Sequence, residues 1–217
     1  MCSLPLFAAE PVQPSEQIGE NAYIFRGFAL AHHDTLLADL RKTLQAQPFR
    51  TMVTPGGHIM SVKLSCCGTY GWVSDSRGYR YTRTNPATGN EWPPMPASFL
   101  ELAACAARRA GFRDYQPDSC LINRYVPGAR LTLHQDKDEK DSYAPIVSVS
   151  LGLPALFLFG GFHRNDKTRR YPVFHGDVVV WGAADRFRFH GVLPVKEGVH
   201  AVMGPQRINL TFRVTGL

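Results

Sequence analysis

SCLINRYV, at residues 119–126, is the first of seven extended segments that fill the C-terminal half of the chain and decide its fold. The other six are ARLTLHQD (129–136), IVSVSLG (146–152), ALFLFGG (155–161), YPVFHGDVVVWG (171–182), RFRFHGVLPV (186–195) and RINLTFRVTG (207–216). Each segment is rich in β-branched and aromatic residues, and turn residues separate it from the next. Regularly spaced strands in this number predict an antiparallel sandwich or jelly roll.

Two amphipathic segments lie upstream of these strands and predict helices that cover a sheet. In HHDTLLADLRKTLQAQ (32–47), we expect Asp34 to be the N-cap, and the apolar stripe is Leu36, Leu37, Leu40 and Leu44. In PASFLELAACAARRAG (96–111), Pro96 lies near the start and Gly111 lies where a C-terminal cap belongs. Its expected apolar side consists of Leu100, Ala103, Ala104 and Ala107. The predicted fold is therefore mainly β with flanking helices.

The length of 217 residues, with 44% apolar and 19% charged residues, fits a single domain over 1–217. Within it we expect a loop-rich lid at about 45–95, rich in Gly, Pro and aromatic residues, and a jelly-roll core at about 116–217. No long apolar run is present, and the start, MCSLPLFAAEPVQPSEQ, lacks a basic region followed by an apolar stretch. These features predict a cytoplasmic protein with no membrane partner.

The cysteines and the net charge restrict the remaining classes. The five cysteines show no CxxC spacing, which argues against a disulfide framework and a structural zinc site; they are Cys2, Cys66, Cys67, Cys105 and Cys120. A formal net charge of +6 and a pI near 9.2 favour an anionic partner such as nucleic acid.

The spacing of His134 and Asp136 in LTLHQD is typical of metal ligands, because residues two apart on a strand point to the same face. Two histidines and one carboxylate form the facial triad that binds non-haem Fe(II) and leaves positions for a chelating cosubstrate and dioxygen. His190, on a later strand, can complete the triad or be a structural histidine. The spacing alone is weak evidence, since His32 with Asp34 and His175 with Asp177 repeat it.

The last strand alternates sharply between polar and apolar residues. Its polar positions are Arg207, Asn209, Thr211 and Arg213, and its apolar positions are Ile208, Leu210, Phe212 and Val214. Such a strand is either half exposed with two surface arginines or lines a polar barrel interior. In the second case, Arg207 and Arg213 lie about 20 Å apart along the strand. They could then bind the two carboxylates of a five-carbon diacid such as 2-oxoglutarate.

Four segments together resemble the signature of the AlkB nucleic-acid demethylases: NRYVPGARLTLHQDKDE (123–139), APIVSVSLG (144–152), HGDVVVWG (175–182) and RINLTFR (207–213). The resemblance implies a double-stranded β-helix (jelly-roll) core with an N-terminal nucleotide-recognition lid. It also implies Fe(II) with 2-oxoglutarate as cosubstrate and O2. The implied iron ligands are His134, Asp136 and His190. The implied contacts to 2-oxoglutarate are Asn123, Tyr125, Arg207, Asn209 and Arg213.

The same resemblance implies how a methylated base is bound. Trp72 stacks on the flipped base opposite the imidazole of His134, and Tyr79 contacts the nucleic-acid strand. Carboxylates next to the metal-binding strand would favour a cationic base. The remaining implied substrate contacts are Asp138, Glu139, Arg164 and Thr54. 

The predicted activity is oxidative demethylation of N1-methyladenine and N3-methylcytosine, with release of formaldehyde, succinate and CO2. The expected partner is methylated DNA, single-stranded or flipped from a duplex, with RNA as an alternative, and the expected state is a monomer. A rival hypothesis is a dioxygenase of the same fold acting on a protein side chain or lipid, against which Trp72, Tyr79 and Asp138 argue. Another is a nucleic-acid binding module whose histidines are structural and whose arginines contact phosphates.

Overall fold

The computed structural model describes residues 15–217, so Cys2 and most of the N-terminal segment discussed above lie outside the described residues. The helices are α1 (His33–Ala46) and α2 (Ala97–Arg109), with 3-10 helices at Leu30–His32 and Ala183–Phe187. The strands are β1 (Ser15–Gly19), β2 (Ala22–Phe25), β3 (Lys63–Gly68), β4 (Gly71–Asp75), β5 (Gly78–Thr82), β6 (Ser119–Tyr125), β7 (Leu131–His134), β8 (Ile146–Gly152), β9 (Ala155–Phe159), β10 (Arg169–Val173), β11 (Val178–Trp181), β12 (His190–Val192) and β13 (Arg207–Arg213).

Two antiparallel sheets form the body of the protein, and β4 and β5 pair only with each other in a two-stranded hairpin. One sheet has seven strands in the order β1-β2-β11-β8-β13-β6-β3, and the other has four in the order β10-β9-β12-β7. All seven strand segments expected from the sequence are present, and the longest of them divides into β10 and β11 at a turn. Together with the flanking helices, this arrangement confirms the mainly β, jelly-roll fold.

Both helices pack against the outer face of the seven-stranded sheet. From α1, Leu36, Leu37 and Leu40 are buried in this core, as the stripe predicts, and Leu44 packs at its edge. Asp34 is not the N-cap, because the 3-10 helix at Leu30–His32 runs directly into α1. Asp34 instead lies in the first helical turn, where a negative charge is still favourable.

The buried face of α2 is rotated from the expected one. Phe99 and Leu102 are buried, together with Ala103, Ala106 and Ala107, whereas Leu100 is exposed. The expectation that Leu100 and Ala104 belong to the buried side was therefore wrong. Phe99 decides the orientation because its ring packs edge-on against Phe212 of β13, with ring centroids 5.9 Å apart.

Gly111 ends α2 as expected. Its φ of +94° is in the left-handed region that glycine adopts without strain. The amide of Phe112 donates to the carbonyl of Ala107, and the amide of Gly111 donates to that of Arg108. These two hydrogen bonds form a Schellman motif and satisfy carbonyls that the helix end leaves unpaired.

A second core fills the space between the two sheets and leaves a cavity beside it. Ile24, Phe157 and Val179 are buried there, along with Trp181. The apolar residues of β13 face the helices, so its polar residues point into the sandwich, and all seven residues of the strand are buried. The polar face is thus the interior of the fold.

The segment 45–95 contributes one strand to the seven-stranded sheet and also forms the separate hairpin of β4 and β5. Lys63–Gly68 pairs with β6 along its whole length and forms an edge of the seven-stranded sheet. The hairpin of β4 and β5 covers this edge through a third small core that includes Leu64, Val73 and Trp92. No helix within residues 15–217 has the length and apolarity needed to cross a membrane.

Candidate metal and cosubstrate site

Three potential metal ligands converge at one end of the four-stranded sheet. His134 ends β7, and His190 begins β12 and pairs directly with it across the antiparallel strands. Asp136 follows two residues after His134. Its carboxylate oxygens lie 3.7 Å from Nε2 of His134 and 3.5 Å from Nε2 of His190. The ligand atoms of the three residues all lie within 4.8 Å of one another, and no other such trio occurs within residues 15–217.

Backbone carbonyls determine which nitrogen of each imidazole faces the centre. Nδ1 of His134 lies 2.9 Å from the carbonyl of Thr132, and Nδ1 of His190 lies 3.0 Å from that of Arg188. A carbonyl can only accept, so each Nδ1 carries the proton and donates it. In the neutral ring, Nε2 is then the unprotonated nitrogen on the side of Asp136, which is the tautomer that binds a metal ion. This donor set fits Fe(II).

The charge states also suit a cation. Burial, together with the neighbouring imidazole of His190, lowers the pKa of His134 to about 4, so its ring is neutral at pH 7. Burial opposes ionisation of Asp136, but the guanidinium of Arg213 outweighs it and holds the pKa of the carboxyl below its usual range. A neutral imidazole at His134 and an ionised carboxylate at Asp136 are thus available together.

Neither of the two other HxD pairs belongs to a metal-ligand cluster within residues 15–217. Asp177 accepts hydrogen bonds from the amides of Gly27 and Phe174 and from the guanidinium of Arg26, which fixes the turn before β11. Nδ1 of His175 accepts the amide proton of Gly152. Of the first pair, His32 and Asp34 are exposed at the start of α1. 

A cavity of about 650 Å³ opens from the triad along the polar face of β13. Its lining includes the predicted cosubstrate residues Asn123, Tyr125, Arg207, Asn209 and Arg213. Hydrogen bonds fix the floor: the amide of Asn209 donates to the hydroxyl of Ser148 at 2.8 Å, and the hydroxyl of Thr211 donates to Asn209 at 2.7 Å. The cavity is therefore preorganised and polar.

Arg207 is a buried cation without a matching anion. It is 3% exposed, and its Nη2 donates to the hydroxyl of Ser150 at 2.9 Å. Its guanidinium lies over the ring of Tyr125, 5.0 Å from the centroid. Nε and Nη1 are buried without a hydrogen-bond partner, and within residues 15–217 no carboxylate forms an ion pair with it. Burial lowers the pKa of this guanidinium, so a bound anion would relieve an energetic cost.

Arg213 differs from Arg207 because it is already paired. Its Nη2 lies 3.2 Å from both carboxylate oxygens of Asp136, and its Nε lies 3.2 Å from Glu139. The two arginines that the sequence treats as equivalent diacid ligands are therefore in different electrostatic states.

The lid aromatics form one side of the cavity mouth. Trp72 of β4 and Tyr79 of β5 stack with ring centroids 5.4 Å apart and an interplanar angle of 15°. The indole Nε1 of Trp72 donates to Asp138 at 3.0 Å. All three residues line the cavity with His134, and Tyr79 is 48% exposed. Neither aromatic is an ordinary core residue.

The other residues predicted to contact nucleic acid do not form one cluster. Thr54 lines the cavity, and its hydroxyl accepts the amide proton of His58 in a turn. Arg164 is exposed, does not line the cavity and donates to the carbonyl of Leu133, next to His134. Glu139 also lines the cavity, but its side chain is 2% exposed, and its carboxylate lies at ion-pair distance from two arginines.

Sequence reasoning missed several residues around the site. Ser148 and Ser150 share one face of β8, and their alternation in IVSVSLG is a signal that could have identified them. Tyr81 and Arg186 contact Glu139, but nothing in their local sequence indicates this.

Comparison with known proteins agrees with this geometry. Residues 21–213 match the 2OG-Fe(II) oxygenase superfamily. The chain is 52% identical over 214 residues to the alpha-ketoglutarate-dependent dioxygenase AlkB of Escherichia coli (strain K12), covering 98% of each chain. It is 33% identical over 180 residues to the DNA N(6)-methyladenine demethylase ALKBH1C of Arabidopsis thaliana, covering 71% of this chain and 39% of that one. The solved structure of OsALKBH1 superposes with a TM-score of 0.80 at 29% identity, covering 93% of this chain and all of that one. The protein therefore belongs to the AlkB family of the 2OG-Fe(II) oxygenase superfamily.

Proposed function

We propose that this protein is an Fe(II)- and 2-oxoglutarate-dependent dioxygenase that removes methyl groups from N1-methyladenine and N3-methylcytosine in nucleic acid. The observation that carries the proposal is the convergence of His134, Asp136 and His190 in the same cavity as the unpaired guanidinium of Arg207. A metal-binding triad and a buried cation in one cavity fit a metal-chelating dianion.

His134, Asp136 and His190 would hold the iron through Nε2, a carboxylate oxygen and Nε2. Arg207 would bind the distal carboxylate of 2-oxoglutarate, because its Nε and Nη1 are buried without a partner. Asn123, Tyr125 and Asn209 would line the cosubstrate, and Arg213 would orient it beside the triad. When bound, iron and 2-oxoglutarate supply, with O2, the oxidation that hydroxylates the methyl group and yields succinate and CO2. The hydroxymethylated base then releases formaldehyde.

The chain's own residues would bind and orient the base. Trp72 offers a ring face for stacking, and Asp138 offers an exposed carboxylate that favours a cationic methylated base. Tyr79 would contact the strand at the cavity mouth, with Thr54 near the phosphates and Arg164 near the base. The aromatic pair at an open cavity supports a base flipped from a duplex or taken from a single strand.

We extend the proposal to the organisation of the protein. The Arabidopsis relative is a DNA N(6)-methyladenine demethylase, which supports a methylated base as substrate. The protein would act as a monomer and as one domain, with the lid within 45–95 and the core within 116–217; residues of both parts line the same cavity. The buried thiols of Cys66, Cys67 and Cys120 support a reducing compartment such as the cytoplasm.

The proposal is tested with oligonucleotides that carry one N3-methylcytosine or one N1-methyladenine, as DNA or RNA. We expect loss of the methyl group, measured by mass spectrometry, only when Fe(II) and 2-oxoglutarate are both present. A chelator should abolish it. Binding of the oligonucleotide without any demethylation would instead favour a binding module.

A further inference from the structure

Glu139 lies three residues beyond Asp136 and is buried among groups from three separate parts of the chain. Its side chain is 2% exposed. One oxygen lies 2.8 Å from Nη2 of Arg186, and the other lies 3.2 Å from Nε of Arg213. The hydroxyl of Tyr81 donates to the same oxygen that faces Arg213. The carboxylate is therefore buried with one hydrogen bond, from Tyr81, and two arginines at ion-pair distance.

These three partners come from different elements. Tyr81 belongs to the hairpin strand β5, Arg213 ends β13, and Arg186 lies in the 3-10 helix before β12. Arg186 is 1% exposed and is itself anchored, because its Nη1 donates to the carbonyl of Ala144 at 2.5 Å. Glu139 thus joins the lid hairpin to the seven-stranded sheet and to the 3-10 helix that precedes β12.

The contacts continue from Glu139 to the triad. Arg213 turns its Nε toward Glu139 and its Nη2 toward Asp136, 3.2 Å from each oxygen. A guanidinium is planar and rigid, so fixing its Nε edge also fixes the direction of Nη2. Two carboxylates and two guanidiniums alternate in this chain of contacts and balance in charge.

We propose that Glu139 is a positioning residue, which holds Arg213 against the metal-ligating carboxylate of Asp136 and, through Tyr81, links the β4–β5 hairpin to the metal site. The inference rests on the proposed function of the triad. It assigns Glu139 to the support of the metal site rather than to the base, which leaves Asp138 as the exposed carboxylate at the cavity mouth. Docking of the hairpin and the geometry of Asp136 are then coupled.

The first test is titration of the purified full-length protein with Mn²⁺, a redox-stable probe of the iron site, in the presence of 2-oxoglutarate. Loss of a residue that supports a metal ligand typically weakens metal binding by about 10- to 100-fold, and we expect this of Glu139→Gln. Glu101→Gln, which makes the same chemical change on the exposed face of α2, should bind Mn²⁺ like the wild type. Wild-type affinity in Glu139→Gln would overturn the inference. Failure of the wild type itself to bind Mn²⁺ would instead refute the proposed function.

The second test uses Tyr81→Phe, which keeps the ring and removes only the hydrogen bond to Glu139. In the wild type, Mn²⁺ with 2-oxoglutarate should slow amide hydrogen exchange across residues 71–82. Tyr81→Phe should lose this slowing while its melting temperature stays close to that of the wild type. Equal slowing in both proteins would contradict the coupling, and this comparison decides the matter if Glu139→Gln does not fold.

Discussion

Replacing Arg207 with methionine should separate cosubstrate binding from stability, because this arginine is buried and lacks an anion of its own. Arg207→Met removes one hydrogen bond to Ser150, a loss of about 0.5 to 1.5 kcal/mol. It also removes a buried charge, and exchanging buried ionic groups for apolar ones of similar volume is often neutral or stabilising by about 1 to 4 kcal/mol. The free energy of unfolding without ligand should therefore stay level or rise.

The affinity for 2-oxoglutarate should change strongly in the same variant. Losing one partner of a buried, hydrogen-bonded charge pair costs about 2 to 5 kcal/mol. This range corresponds to about 30- to 4,000-fold in affinity. The dissociation constant, measured by calorimetry with Mn²⁺ in the iron site, should rise by an amount in that range.

Arg186→Met is the matched control, since Arg186 is equally buried but paired with Glu139 at 2.8 Å. Breaking a buried pair leaves a carboxylate uncompensated and should destabilise the fold by about 3 to 5 kcal/mol. Without ligand, the melting temperature of Arg207→Met should thus stay level or rise, whereas that of Arg186→Met should fall. Equal destabilisation of the two variants, or an unchanged affinity of Arg207→Met for 2-oxoglutarate, would refute this account of Arg207.

Three further outcomes are expected. Asp136→Ala should lose Mn²⁺ binding and turnover, whereas His175→Gln should keep both; activity in Asp136→Ala would exclude it as a ligand. Trp72→Ala should weaken binding of methylated oligonucleotides by about 5- to 150-fold, from about 1 to 3 kcal/mol of stacking, while slow succinate formation without nucleic acid persists. Burial, followed by neighbouring His200 and His33, lowers the pKa of His175 from 6.5 to about 4. The unfolded chain then binds more protons at this residue between pH 6.5 and 4. The melting temperature should therefore decrease as the pH is lowered from 6.5 to 4, and it should decrease less steeply in His175→Gln.

The sequence predicts most of the fold because its strongest patterns are set by burial. The alternation of β13 has a period of two, and the structure uses one face for the helix-covered core and the other for the cavity. Weaker patterns were less informative. An alanine-rich helix such as α2 has little contrast between faces, so the position of Phe99 against Phe212 decides its orientation. The strands β1 and β2 are short and carry few signals; they pair with each other, and β2 joins the sheet by pairing with the distant β11.

The site was predictable where its residues lie close together in the sequence and obscure where distant segments meet. His134 and Asp136 are two residues apart, and the polar residues of β13 follow one another on a single face. The role of Glu139 depends instead on Arg186 and Tyr81, which lie 47 residues after it and 58 residues before it. No local pattern records that three such groups share one buried carboxylate. The difference between Arg207 and Arg213 likewise depends on which of them meets an acid in three dimensions.

The central claim is that one chain couples oxidation of 2-oxoglutarate to removal of a methyl group from a nucleobase. The most direct measurement is a count of products by mass spectrometry after reaction with an N3-methylcytosine oligonucleotide under excess Fe(II), 2-oxoglutarate and O2. We predict equal amounts of unmethylated cytosine and formaldehyde, with succinate matching them once the slow reaction without oligonucleotide is subtracted. Succinate formation that the methylated oligonucleotide does not increase, with the methyl group left in place, would contradict the claim.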